Sequence, residues 1–145
     1  MSSFLIISLN VSDRKGISKK PVEKIRLRKN QGVEGDAHAG DWHRQVSLLA
    51  MEDIAAMNKS GAELVPGDFA ENITTKGIAL HSLPVGTCLK IGKTVLEVTQ
   101  IGKECHAGCA IRRKVGDCIM PRQGIFAKVI EEGEISNEDI GYYDL

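Results

Sequence analysis

Cys88-Leu89-Lys90-Ile91-Gly92-Lys93-Thr94-Val95-Leu96-Glu97-Val98-Thr99-Gln100-Ile101 is the stretch whose reading decides the fold. Two apolar, β-branched-rich runs flank a two-residue connection, and glycine at its first position suits a type II′ turn. The segment therefore predicts a β-hairpin of Cys88–Ile91 with Thr94–Ile101. Within it, Cys88 reads as a small buried hydrophobe.

Working outward, residues 4–11, 22–27, 45–49 and 125–130 also read as strands. Ser12-Asp13-Arg14-Lys15-Gly16 separates the first two with turn formers, and Glu131-Glu132-Gly133 turns the chain after the last. Helical spacing is confined to residues 51–59, where Met51, Ile54, Ala55 and Met57 recur on one side and Gly61 is placed to end the helix. The chain has 15 glycines in 145 residues, above the average of about 7%. Most of them fall between the short strand-like runs. Many short strands, glycine turns and little alternation of strand with helix predict a mainly β protein. We read it as a β-barrel with a few short peripheral helices, one domain over residues 1–145.

Charge narrows the classes of partner. Lys plus Arg and Asp plus Glu each number 19, and no basic block resembles a nucleic-acid arm or a membrane patch. Aromatic residues make up 4%, too few for a stacking platform along single-stranded nucleic acid. No nucleic-acid or membrane partner is expected, and any anionic ligand must be held locally. The apolar start of the chain lacks the features of a signal peptide, and no apolar run nears the roughly 20 residues that span a bilayer. A cytoplasmic location is expected, where a tight cysteine cluster serves catalysis or metal binding.

That cluster is Cys105-His106-Ala107-Gly108-Cys109, with Cys118 nine positions further on. Lys103 and His106 precede Cys109, and Arg112, Arg113 and Lys114 follow it. Nearby cations stabilise a thiolate, so Cys109 is a candidate nucleophile, with Cys105 and His106 beside it. Zinc ligation is the alternative, because Cys105 and Cys109 have the spacing of a ligand pair that His106, His38 or His43 could complete.

Two further stretches carry polar groups suited to a ligand. In residues 32–45 the glycines, Gly35 among them, permit an anion-binding nest of amides. Asp36, His38, His43 and Arg44 supply side chains that could orient a phosphate-bearing molecule. In Pro66-Gly67-Asp68-Phe69-Ala70-Glu71-Asn72-Ile73-Thr74, the Glu71-Asn72 pair could hold a polar ligand. Alternatively, Asn72 bridges backbone at a bulge.

Taken in order, these segments resemble the MOSC domain, named after the C-terminal domain of molybdenum cofactor sulfurase. The resemblance runs from residues 32–44 through Gly67-Asp68-Phe69-Ala70-Glu71-Asn72 and the hairpin. It continues through Gly102-Lys103-Glu104-Cys105-His106-Ala107-Gly108-Cys109-Ala110-Ile111, Gly116-Asp117-Cys118-Ile119-Met120-Pro121 and Gly124-Ile125-Phe126-Ala127-Lys128-Val129. It is closest to the short stand-alone bacterial form. It implies a β-barrel, the molybdenum cofactor (molybdopterin) as ligand, and one cysteine that carries sulfur or contacts the metal, which maps onto Cys109 with Cys105 as competitor. The pterin phosphate is then expected near His38 and Arg44, with Gly35, Asp36, His43, Glu71, Asn72, Lys103, Arg112 and Arg113 as further cofactor-binding candidates. Full-length sulfurases also carry a pyridoxal-phosphate-dependent desulfurase domain, for which 145 residues leave no room. Sulfur would come from a separate cysteine desulfurase or other donor and go to a molybdoenzyme acceptor. The resemblance also implies, as an alternative, reduction of N-hydroxylated substrates with cysteine as molybdenum ligand, and the cysteine spacing leaves open a non-enzymatic, zinc-stabilised binding module.

Overall fold

In chain order the strands are β1 (Ser2–Val11), β2 (Lys20–Val22), β3 (Lys24–Arg28), β4 (Gly32–Val33), β5 (Val46–Ala50), β6 (Ile73–Lys76), β7 (Cys88–Ile91), β8 (Thr94–Ile101), β9 (Ile125–Glu131), β10 (Gly133–Ser136) and β11 (Ile140–Tyr143). A single α-helix, α1 (Met51–Asn58), and a 3₁₀ turn, Leu80–Ser82, accompany them among the described residues. The computed structural model describes residues 1–59, 61, 63–102 and 124–144.

The hairpin forms as its sequence predicts. Ile91 pairs with Thr94, and of the two loop residues Gly92 alone has positive φ, 58°, as a type II′ turn requires. From it the sheet extends through β9, β5 and β6 to β1, whose first residues pair with β11, itself paired with β7. Seven strands thus close into a barrel. β2 lies at the open margin of the sheet against the end of β1, and its Pro21 is tolerated at such an edge. All neighbours are antiparallel except β5 and β6, a parallel pair that needs a crossover. Helix α1 and the turn at residues 66–69 provide it.

β5 is buried on both faces, which explains its mostly apolar sequence, and its one polar residue, Ser47, bonds through its hydroxyl to the Ala70 carbonyl. Leu48 points into the barrel core with Leu89, Ile91, Leu96, Val98 and Ala127. Leu49 points outward, into a second cluster of Ile54, Leu64, Phe69, Ala70 and Phe126 beneath α1. Phe4 packs across the barrel seam so closely that a Cβ on its partner Gly141 would sit 2.1 Å from the Phe4 ring.

Two sequence expectations are corrected. Residues 22–27 are not one strand. The chain bends at Glu23 and switches sheets, β2 pairing with β1 and β3 with β10 in a separate three-stranded sheet, β10-β3-β4. Cys88 is exposed, because alternation along β7 turns Leu89 and Ile91 inward and Cys88 and Lys90 outward.

Candidate functional site

The connection from β4 to β5 was expected to offer a nest of amides to an anion. The amides of Glu34, Asp36, Ala37, Ala39, Gly40 and Trp42 donate to the carbonyls of Arg26, Val33, Ser12, Asp36, Gln31 and Gly40, and that of His38 donates to Asp36 Oδ2. These seven amides hold the loop's shape, and its side chains carry further donors. Gly35 is exposed with φ 82° and open space beside it. Its role is conformational.

At the centre of this loop a buried ion pair appears that the sequence did not announce. Lys19 Nζ lies 2.8 and 3.0 Å from the two Asp36 carboxylate oxygens and 2.9 Å from His38 Nδ1, with the Lys19 and Asp36 side chains fully buried. Burial pushes the Asp36 carboxyl up. The Lys19 hydrogen bonds and charge, with the backbone amides of His38 and Ser12 donating to the carboxylate, outweigh it and hold the group far below the usual carboxylate range. Asp36, expected as a cofactor contact, is paired with Lys19 in this ligand-free chain. An ammonium offers donors only, so His38 Nδ1 accepts and Nε2 carries the ring proton. His38 keeps 19% of its side-chain surface exposed, enough to present that N–H.

Beside this pair stands an aromatic–cation stack. Trp42, the one tryptophan of the chain, is fixed by its Nε1 donating to the His38 carbonyl at 2.8 Å. The Arg44 guanidinium lies 4.6 Å from the Trp42 ring centroid and 5.7 Å from that of Phe126, and Lys15 Nζ lies 5.4 Å from Trp42. Arg44 Nε is buried with no hydrogen-bond partner, and among the described residues no carboxylate pairs with this permanently charged group. His43 Nε2 lies 2.7 Å from Gln100 Oε1. A register shift between Val98 and Gln100 frees Thr99, whose hydroxyl donates to the His43 carbonyl and lies 3.2 Å from that of Phe126.

The same residues reach the root of the cysteine segment. Gln100 Nε2 donates to the Gly102 carbonyl at 2.7 Å, and the Gly102 amide donates to Gly124 at 2.7 Å, closing the two ends of the connection between β8 and β9. Lys103, Cys105, His106, Cys109, Arg112 and Arg113 belong to that connection and lie outside the described residues, as does Cys118. Among the described residues no group of three His, Cys, Asp or Glu side chains is placed to hold a metal ion.

Glu71 and Asn72 are fully buried, and of the two readings of the pair Asn72 takes the one that bridges backbone. Asn72 Oδ1 accepts from the Ser47 amide at 3.1 Å and its Nδ2 donates to the Asn10 carbonyl at 3.1 Å, so it bridges β5 and the end of β1. Glu71 Oε2 accepts from the Gly67 amide and the Thr74 hydroxyl. Of the side chains the sequence pointed to, the structure brings together Asp36, His38, His43 and Arg44. It adds Lys19, Trp42 and Lys15.

The described residues thus give a closed seven-stranded β-barrel with basic and aromatic side chains gathered on the connection from β4 to β5. Residues 34–140, well over half the chain, match the MOSC domain, and the chain belongs to that family. No curated protein matches it by sequence. Among solved structures it is similar to the YuaD protein of Bacillus subtilis, with a TM-score of 0.81 and 17% identity over 99% of this chain and 97% of that one. It is also similar to YiiM of Geobacillus stearothermophilus, TM-score 0.74 and 18% identity over 98% and 75% of the two chains. YiiM of Escherichia coli gives a TM-score of 0.74 and 16% identity over 100% and 71%. At these identities the likeness is one of fold. No helix among the described residues is long and apolar enough to cross a membrane.

Proposed function

We propose that this chain binds the molybdenum cofactor through its pterin phosphate and carries sulfur on Cys109 for a molybdenum centre. The observation that supports the reading best is Arg44: a permanent cation stacked on Trp42 and Phe126, its Nε buried and unpartnered, with no acidic neighbour among the described residues. An orphaned buried donor costs about 1–3 kcal/mol. An anionic oxygen would relieve that cost. His38, with its Nε2–H fixed by Lys19 and its carbonyl holding Trp42, and Lys15, over the Trp42 ring, add a donor and a second positive charge around the same tryptophan.

Residues Arg44, His38 and Lys15 would hold the phosphate, and Trp42 would flank the ring system. When bound, the group supplies a molybdenum site able to take up sulfur. The chain's own share is thiol chemistry: the Cys109 thiolate attacks the outer sulfur of a donor persulfide, a new S–S bond forms on Cys109, and the donor leaves as thiolate. The donor would be a cysteine desulfurase or an equivalent persulfide, and the acceptor a molybdoenzyme.

Incubation with a cysteine desulfurase and cysteine, followed by intact-mass and peptide analysis, tests this. The expected result is one additional sulfur on the Cys109 peptide, absent in Cys109→Ser. Equal sulfur uptake by Cys109→Ser overturns the assignment. Molybdenum held stoichiometrically by protein that never accepts sulfur would instead make the thiolate a metal ligand.

A further inference from the structure

Glu71 lies apart from the Lys19–Asp36–His38 cluster, but backbone joins the two. Its Oε2 accepts the Gly67 amide at 3.0 Å and the Thr74 hydroxyl at 2.7 Å, while Oε1 is buried without a partner. Burial pushes this carboxyl up, with the Gly67 and Thr74 donors pulling the other way. Gly67 is left-handed, with φ 92°, and its carbonyl accepts the Lys19 amide at 2.8 Å. The approach is tight: a Cβ on Gly67 would stand 2.2 Å from the Lys19 carbonyl oxygen. A second route runs through β1. The Glu71 carbonyl accepts from Asn10 Nδ2 at 3.1 Å, and the Asn10 amide donates to Asn72 at 2.7 Å. Two residues beyond Asn10, the Ser12 amide donates to Asp36 Oδ1 at 3.1 Å.

Lys19 is thus hung from the Glu71 carboxyl through Gly67, and Asp36 from the same residue through Asn10, whose Nδ2 donates both to the Glu71 carbonyl and, at 3.1 Å, to the Thr74 hydroxyl that the carboxyl holds. We propose that Glu71 is a positioning residue for His38: by anchoring Gly67 and the end of β1 it sets the Lys19 and Asp36 backbones, so that Lys19 Nζ meets His38 Nδ1 and fixes the Nε2–H tautomer. The value of that tautomer to a phosphate rests on the function proposed above. The link from Glu71 to the ring is a property of the ligand-free chain and is read without any cofactor. What Gly67 requires of residue 71 is an acceptor, which glutamine also provides and leucine does not.

Two-bond proton–nitrogen NMR correlations of the histidine rings test this in ¹⁵N-labelled ligand-free protein. In the wild type, His38 is expected as a single tautomer, its Nδ1 and Nε2 resonances well separated. Glu71→Leu should collapse that separation toward the average of two tautomers, and Glu71→Gln should restore it. Leu89→Ala, a cavity of similar burial on β7, should leave the His38 pattern unchanged, which separates positioning from general loss of stability. A folded Glu71→Leu protein with the wild-type His38 pattern overturns the proposal, as does an equal collapse in Leu89→Ala. Should Glu71→Leu fail to fold, Gly67→Ala moves the Lys19 backbone directly, and an unaltered His38 ring in that protein overturns the proposal. Sulfur uptake is measured separately, so a negative result there does not bear on this link.

Discussion

Replacing Lys19 with methionine keeps most of the side-chain volume and removes one charge from a pair whose two side chains are 0% exposed. Asp36 would then face the interior with the Ser12 and His38 amides, each at 3.1 Å, as remaining donors. Breaking a buried pair by removing one partner costs about 3–5 kcal/mol, because the other charge is left uncompensated. Set against a typical total stability of about 5–15 kcal/mol, that is a large share. For a domain of this size it lowers Tm by roughly 6–20 °C, at about 2–4 °C per kcal/mol. Lys19→Met/Asp36→Asn removes both charges and should recover more than half of the loss. Urea unfolding followed by Trp42 fluorescence and far-UV circular dichroism gives both numbers, with Trp42 reporting from the site itself. A loss below about 1 kcal/mol for Lys19→Met, the range of exposed pairs, would refute the reasoning.

Acid should weaken the fold through Asp36: its folded-state carboxyl lies below its unfolded value, so its stabilisation is complete above the ordinary carboxylate range and is lost as pH falls through that range and below. Glu71 acts in the opposite sense. Its raised carboxyl favours the folded state at low pH and withdraws stability as pH rises above about 4–5, so Glu71→Gln should flatten the alkaline side of a stability–pH curve. Denaturant midpoints across pH check both directions. Gly141→Ala should cost about 1–3 kcal/mol by forcing a Cβ into the Phe4 ring, and Phe4→Leu in the same chain should return part of it, as read by thermal melts. Arg44→Ala should weaken binding of a phosphate-bearing pterin by about ten- to hundredfold, the loss of about 1.5–3 kcal/mol of charged hydrogen bonding, as measured by quenching of Trp42 fluorescence.

Local patterns carried the barrel and half of the site. The hairpin around Gly92 was legible because its turn chemistry and its strand composition agree, and β1, β5 and β9 because their sequences are mostly apolar. The short strands were not. β4 has two residues and β2 three, and their pairing is set by partners far along the chain. His38, His43 and Arg44 could be picked out as a donor-rich cluster, but nothing in the spacing tells that seven of the amides around them are engaged within the protein or that Asp36 belongs to Lys19. A single lysine in a polar loop reads as solvated, and its partner lies 17 residues away. Trp42 did leave a signal, an aromatic residue set between Asp41 and His43-Arg44, whose stacking role passes unnoticed unless cations on both sides of it are considered together. Glu71 and Asn72 allowed two readings, a ligand contact or a backbone bridge at a bulge, and Asn72 proves to be the bridge. Here the crossover between parallel strands buries them as struts.

The most direct test of the central claim is the molybdenum and pterin retained after wild-type, Arg44→Ala and Cys109→Ser proteins are each mixed with a cofactor-loaded carrier and separated by gel filtration. The account predicts co-elution of pterin with the wild type and with Cys109→Ser, and its loss from Arg44→Ala. Equal retention by Arg44→Ala, with that protein folded, would contradict it.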